Sequence, residues 1–290
     1  MPRLVPALGA GVLTGIGKRP RPEAALPRFR LVVPGVRPDR QRLTAYSEVC
    51  GFPPGHRPLP LTYPHVLGFP LAARLMAARA FPLPLPGLVH TSIEITQWAP
   101  LSPDDSVDLS VHAEELKAHR RGTEAVIVTE AWRDGVRVWR DLSTYLARGP
   151  ATPTDRTAGT DSAPARDRAA GVADGPLTAR ATWRLPPGLG RRHAAVSGDY
   201  NPIHLHPWTA RPLGFRRAIA HGMWTFARCV AESDAAAAEE VTVRAEFRSP
   251  VLLPSSVTYA ADGPAFELRS GDGGERLHLR GEVTAPPARR

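Results

Sequence analysis

An acid, an amide and an imidazole fall within one short stretch of this chain, Ser197-Gly198-Asp199-Tyr200-Asn201-Pro202-Ile203-His204. Gly198 and Pro202 disfavour helix on either side of the acid, which predicts a turn at Asp199. His204 follows five residues after Asp199. One irregular segment can therefore aim a carboxylate and an imidazole at a single water. That pairing is the usual equipment for moving protons near neutral pH. Taken singly, either residue would read as half of a surface ion pair. Asn201 either orients one of the two or caps a turn, and Pro202 fixes the shape of the loop.

A second short run, Ala220-His221-Gly222-Met223, opens an apolar stretch, with Gly222 lying 23 residues beyond Asp199. The backbone N–H of a glycine at a helix start is one of the unpaired donors of the first turn. The helix dipole favours negative charge there. By residue type, His204, His206 and His221 could ligate zinc. The alternative for His206 and His221, an imidazole hydrogen-bonded to backbone beside the loop, is the reading adopted here.

The elements that must position these residues are legible as a repeat. An apolar helical stretch opens at Tyr63-Pro64-His65-Val66-Leu67-Gly68-Phe69 and runs to about Ala80. Another opens at Ile219-Ala220-His221-Gly222 and runs to about Glu232. Alternating residues predict strands at 91–98, 107–116, 124–133 and 136–146 in the first half. In the second half the same reading gives 241–247, 256–261, 265–269 and 276–283. Asp134-Gly135 is a hairpin signal, and Gly271-Asp272-Gly273-Gly274 is a second turn. At a constant offset of 150 residues, Ile93 matches Val243, Pro100 matches Pro250, Ser106 matches Ser256 and Val107 matches Val257. Four matches in one frame argue for a duplicated unit. Each half reads as one long apolar helix covered by an antiparallel sheet, an α+β arrangement.

Residues 149–178 are nearly devoid of large apolar side chains and read as a linker. The expected organisation is a leader at 1–27, one unit at 28–148, the linker, and a second unit at 179–287. The leader contains Gly9-Ala10-Gly11-Val12-Leu13-Thr14-Gly15-Ile16-Gly17. No strand precedes that run and no βαβ pattern follows it, so it is not a nucleotide loop. Nor does the apolar stretch from Leu4 to Ile16 end in a convincing cleavage site.

The chain has 290 residues and a formal net charge of +9. Its arginines are dispersed among alanine and proline rather than gathered in a stripe, which argues against nucleic acid. Phosphate-bearing small ligands or an acidic carrier protein suit such a surface as well. Two cysteines, Cys50 and Cys229, provide neither a disulfide framework nor a metal cluster, which points to a reduced, cytoplasmic setting. No segment reaches the ~18 apolar residues of a membrane span.

The run from Ser197 to His204, followed by Ala220-His221-Gly222-Met223, resembles the signature of the MaoC-like R-specific enoyl-thioester hydratases and dehydratases. The segment from Leu59 to Pro70 looks like the degenerate first hotdog of two-hotdog members, the actinobacterial 3-hydroxyacyl-thioester dehydratases above all. The resemblance implies a double hotdog, two antiparallel sheets each wrapped around a central helix. It implies reversible conversion of a (3R)-hydroxyacyl thioester to a trans-2-enoyl thioester plus water, in fatty acid metabolism. Carried over, Asp199 and His204 handle the water and its protons, and the Gly222 N–H meets the thioester oxygen. No metal and no cofactor are implied. The substrate would be an acyl-coenzyme A or an acyl carrier protein thioester.

Arg191, Arg192, Arg211, Arg216 and Arg217 flank the catalytic run. Arg216 and Arg217 are candidates for the phosphates of that substrate. Where some members place a hydroxyl two turns into the helix, this chain has Arg228-Cys229-Val230. The first half carries Val66 in place of Gly222 and no Asp-x-Asn-Pro-x-His, so it is expected to be catalytically empty and to accommodate the acyl chain. Two other readings stay open at this stage, a hotdog thioesterase and a non-catalytic acyl-thioester binding subunit. Oligomeric state is also open, a homodimer included, although one chain already holds both units.

Overall fold

A computed structural model describes residues 18, 20–53, 55, 58–85, 87–149, 177–271, 273 and 276–287. Most of the expected leader and linker lies outside the described residues, as does part of the Gly271–Gly274 turn. The first half runs β1 (Leu31–Val36), α1 (Arg40–Cys50), α2 (Tyr63–Ala77), β2 (Val89–Gln97), β3 (Val107–His119), β4 (Gly122–Arg133) and β5 (Val136–Arg148). The second runs β6 (Ala179–Leu185), α3 (Leu189–Ser197), α4 (Pro202–Leu205), α5 (Pro207–Ala210), α6 (Gly222–Glu232), β7 (Val241–Phe247), β8 (Ser255–Asp262), β9 (Ala265–Ser270) and β10 (Leu277–Thr284).

The apolar helices and all eight expected strands form, with ends shifted by a few residues. β1, α1, β6 and α3 were not legible in the sequence. The reason is visible in α1, which buries only the stripe Leu43, Tyr46, Ser47 and Cys50 and is otherwise polar. α2 is the opposite case, buried on nearly every side. Asp39 caps α1 by accepting the Arg42 N–H at 2.7 Å. Asp134 and Gly135 both take positive φ, 52° and 76°, as a two-residue hairpin turn requires.

The strands form one antiparallel sheet in the order β1-β3-β4-β5-β2-β7-β10-β9-β8-β6. Read from each outer edge inward, the two halves have the same order, so a pseudo-twofold axis passes through the β2–β7 joint. The expected two sheets are thus two five-stranded halves sharing one hydrogen-bonded seam. The register places the axis between Glu94 and Arg244, which pair directly across the seam and stand in the same 150-residue frame. Their side chains form an ion pair of 2.6 Å. Thr96 and Thr242 hydroxyls meet nearby at 3.0 Å.

The helices lie against the inner face of the curved sheet, with α2 on β3 and β4 and α6 on β9. The halves also meet through helices. Arg42 Nε of α1 donates to Val196 O of α3 at 2.6 Å, and Trp224 Nε1 of α6 donates to Val49 O of α1 at 2.8 Å. Among the described residues, no helix is long and apolar enough to cross a membrane.

Candidate active site

α3 ends at Gly198, whose φ of 83° is the left-handed cap that reverses the chain. That reversal delivers Asp199 to a turn, as its neighbours predict. Asp199 Oδ1 accepts the Asn201 N–H at 3.1 Å. Asn201 resolves to a cap: its side-chain oxygen accepts from the Ile203 N–H and starts α4. α4 carries His204, which is buried.

Two histidines have their tautomers fixed by backbone. His204 Nδ1 donates to Ile219 O at 2.9 Å, leaving a lone pair on Nε2. His221 Nε2 donates to Asp199 O at 2.9 Å and lies 3.8 Å from the Asp199 carboxylate. The two rings stack with centroids 3.7 Å apart and planes inclined by 25°. Burial pushes His204 down to about 3, helped by His221 and opposed by Asp199 and the Ile219 carbonyl. His221 is pushed down to about 4 by burial, against its bond to Asp199 O. Both are neutral imidazoles at physiological pH.

His221 is also the residue before α6, and Gly222 is the first residue inside it. Trp224 and Thr225 N–H groups already bond to His221 O, whereas Gly222 N–H meets no acceptor among the described residues. A Cβ at position 222 would lie 3.2 Å from the Phe247 ring. Glycine therefore lets the ring and the backbone donor stand side by side.

The donor atoms of Asp199, His204 and His221 lie within 4.8 Å of one another. Stacked imidazoles present their in-plane lone pairs side by side rather than converging, and one nitrogen of each ring is spent on a carbonyl. That geometry suits proton transfer better than the tetrahedral shell of zinc at ~2.0–2.1 Å. His206 is outside the cluster. Its Nδ1 accepts from the Trp208 N–H and caps α5, a structural part as expected.

A model of the MaoC like domain matches residues 171–262, the span that holds Asp199, His204 and Gly222. The 3-hydroxyacyl-thioester dehydratase X of Mycobacterium tuberculosis is 34% identical over 268 residues, 90% of this chain and 88% of that protein. The chain belongs to the MaoC-like dehydratase family. The crystal structure of HtdX from the same organism superposes with a TM-score of 0.74 at 32% identity, covering 89% of this chain and 100% of that one. A MaoC-like dehydratase from Phytophthora capsici, 17% identical, shares the fold at a TM-score of 0.72 over 91% of this chain and 97% of that one. The double hotdog is the fold of this chain.

Within this MaoC-like protein the halves differ where chemistry would sit. α1 ends on Gly51 with φ of 80°, matching Gly198. The next residue is Phe52, 3% exposed, where the second half has Asp199. His65 lies inside α2 rather than at its start and pairs through Nδ1 with the fully buried Asp141 of β5, which also accepts from Ser143 Oγ at 2.7 Å. Aligning His65 with His221 by sequence therefore gave the right helix but a different job.

Sequence reading missed three residues that surround the site. His193 of α3 lies 4.5 Å from the His221 ring, with burial holding it well below the usual histidine range. His90 of β2 stacks on Tyr145 of β5 at 4.5 Å and tilts against Phe247 at 4.8 Å. Each stands alone in a strand or polar helix, so no local pattern marks it. Of the flanking arginines, Arg217 donates to Pro254 O at 3.1 Å and Arg191 to Leu205 O at 3.0 Å. Arg216 lines a surface cavity instead. Arg228, in the segment where some family members carry a hydroxyl, pairs with Glu232 at 2.9 Å and covers Trp183. Cys229 is buried beside it.

Proposed function

We propose that this protein interconverts (3R)-hydroxyacyl and trans-2-enoyl thioesters, adding or removing water at the Asp199–His204 pair. The observation that carries the reading is the fixed tautomer of His204. With Nδ1–H held by Ile219 O, its one vacancy is at Nε2, beside a carboxylate. In the hydration direction Nε2 takes a proton from water as the water oxygen bonds to C3. The resulting imidazolium returns that proton to C2. Dehydration runs the same transfers backwards. Asp199 orients the water and stabilises the transient imidazolium. The Gly222 N–H faces the charge that gathers on the thioester oxygen, a contribution worth roughly 3–4 kcal/mol. A general base of this kind adds about 10²–10⁴-fold in rate.

We read residues 179–287 as the catalytic hotdog and 28–148 as a half emptied of chemistry, whose Phe52 replaces the acid and whose interior accommodates the acyl chain. Free, buried Cys50 and Cys229 agree with a reducing cytoplasm. The thioester is carried on a phosphopantetheine arm.

The deciding experiment follows the conjugated enoyl thioester by absorbance in wild type, Asp199→Asn and His204→Ala. Wild type should bleach it without releasing free thiol, and each variant should be slower by about 10²-fold or more while melting as wild type does. Thiol release by wild type, or full activity in either variant, would overturn the assignment.

A further inference from the structure

Two buried histidines beside the site are short of partners. His221 spends Nε2 on Asp199 O at 2.9 Å, so its Nδ1 keeps only a lone pair. Among the described residues that nitrogen meets no hydrogen-bond partner, and neither do Nδ1 and Nε2 of His193. His193 is 1% exposed and His221 2%, so bulk solvent does not serve them. Burial holds His193 neutral, with one N–H and one lone pair. Three unpaired ring nitrogens in one place would each carry the full cost of losing water, which native interiors seldom tolerate.

Their placement ties them to the reacting pair. His193 stands on α3, six residues before Asp199, and Gly198 turns the chain between them. The His193 and His221 rings are 4.5 Å apart at their centroids, with planes inclined by 50°. Rings so tilted diverge along one side, and there a single water can reach a nitrogen of each. α3 also touches the other histidine of the stack: a Cβ at Gly190 would overlap His204 O. The helix is thus the platform against which both imidazoles rest.

We propose that one buried water bridges His193 and His221, accepting from the His193 N–H and donating to His221 Nδ1, and that His193 is thereby a positioning residue for Asp199. Two polar partners are enough to hold a buried water. An imidazole that accepts at one nitrogen donates more strongly from the other, so the water tightens the His221 Nε2–H bond to Asp199 O. Asp199, His221, the water, His193 and the end of α3 then form one closed ring. That ring holds the turn whose carboxylate sits 3.8 Å from His221 Nε2. The proposal rests on the hydratase reading for its kinetic consequence alone.

The test uses the full chain as wild type, His193→Phe and His193→Gln. Phenylalanine keeps a ring of like size without nitrogens, and glutamine keeps a donor and an acceptor. On a trans-2-enoyl thioester His193→Phe should lower kcat about 10- to 100-fold, the scale of a misplaced reacting group, with KM little changed. Its melting temperature should hold or rise, because an apolar ring replaces two buried polar atoms. His193→Gln should recover most of the lost kcat. Ring 15N spectra of the histidines need no turnover. In wild type His221 Nδ1 should resonate as an unprotonated acceptor, shift on His193→Phe and return on His193→Gln. Unchanged kcat in His193→Phe, or a glutamine variant no better than it, overturns the proposal. So does a wild-type spectrum in which His221 Nδ1 is protonated or free of any hydrogen bond, which decides the matter even if the phenylalanine variant does not fold. Wild type that leaves every enoyl thioester unchanged would refute the hydratase reading, and the spectra would still decide the water.

Discussion

His204 suits the proposed role of base because it is neutral, and it is neutral because it is buried. Its proton is assigned by a carbonyl two residues before His221, not by the carboxylate beside it. A base held down to about 3 is unprotonated throughout the physiological range. The acid limb of kcat/KM should therefore fall well below the ordinary histidine value of ~6.5, and a pH–rate profile will show it. A limb centred near 6.5 would mean that His204 is solvated in the working enzyme. The same burial has a cost in stability. His90, His193, His204 and His221 all lie below their ordinary value in the folded chain, burial being the first cause in each. The unfolded chain takes up these protons below ~6.5 and the folded one does not. Stability is then complete above pH ~6.5 and is lost as pH falls through the folded values. Denaturant titrations at pH 7.5, 6 and 5 should show a falling midpoint. A midpoint that stays level would contradict the burial.

Elements act here through their ends. Gly198 and Gly51 are the same left-handed cap in two helices, yet one is followed by an acid and the other by a buried phenylalanine. Gly198→Ala forces a side chain into positive φ, which costs about 1 kcal/mol. The turn that carries Asp199 should shift with it, so activity should fall although a loss of about 1 kcal/mol leaves a domain of ordinary stability almost wholly folded. Comparing kcat with the melting temperature separates the two. At the start of α6, Gly222→Ala sets a methyl against Phe247 at 3.2 Å. Its N–H survives the change, so the expected loss is a rise in the barrier of about 1–2 kcal/mol, with thermal stability nearly kept. An unchanged kcat would show that the methyl is accommodated by the Phe247 ring without holding the thioester off the N–H.

At the scale of the molecule the duplication has become unequal along its own axis. Glu94 and Arg244 occupy equivalent places on the two halves and face each other across the joint. In a symmetric pair of identical units one residue type would face itself there. A single chain can place opposite charges instead. The pair is partly exposed, so it is worth only ~0.2–1 kcal/mol. Glu94→Arg should lower stability by about that much or slightly more, and adding Arg244→Glu should recover it. A double-mutant cycle with zero coupling would remove the pair from the account of the joint.

The motif, the duplicated strands and the apolar helices were all readable because each rests on local physics. A turn follows from Gly and Pro, a strand from alternation, a buried helix from an apolar run. Asp199, His204 and Gly222 were named from two short runs for the same reason. The place of His221 against them was not readable, nor were α1 and α3, whose narrow buried stripes leave mostly polar sequence. Only packing brought His221 onto the face of His204 and the Ile219 carbonyl onto its Nδ1. Only packing set His90 of the first half, itself stacked on Tyr145, against Phe247 of the second. Sequence alone determined which residue types were available and in which half. The tertiary structure decided which nitrogen carries the proton, because that depends on a carbonyl 15 residues away and on the burial of the ring.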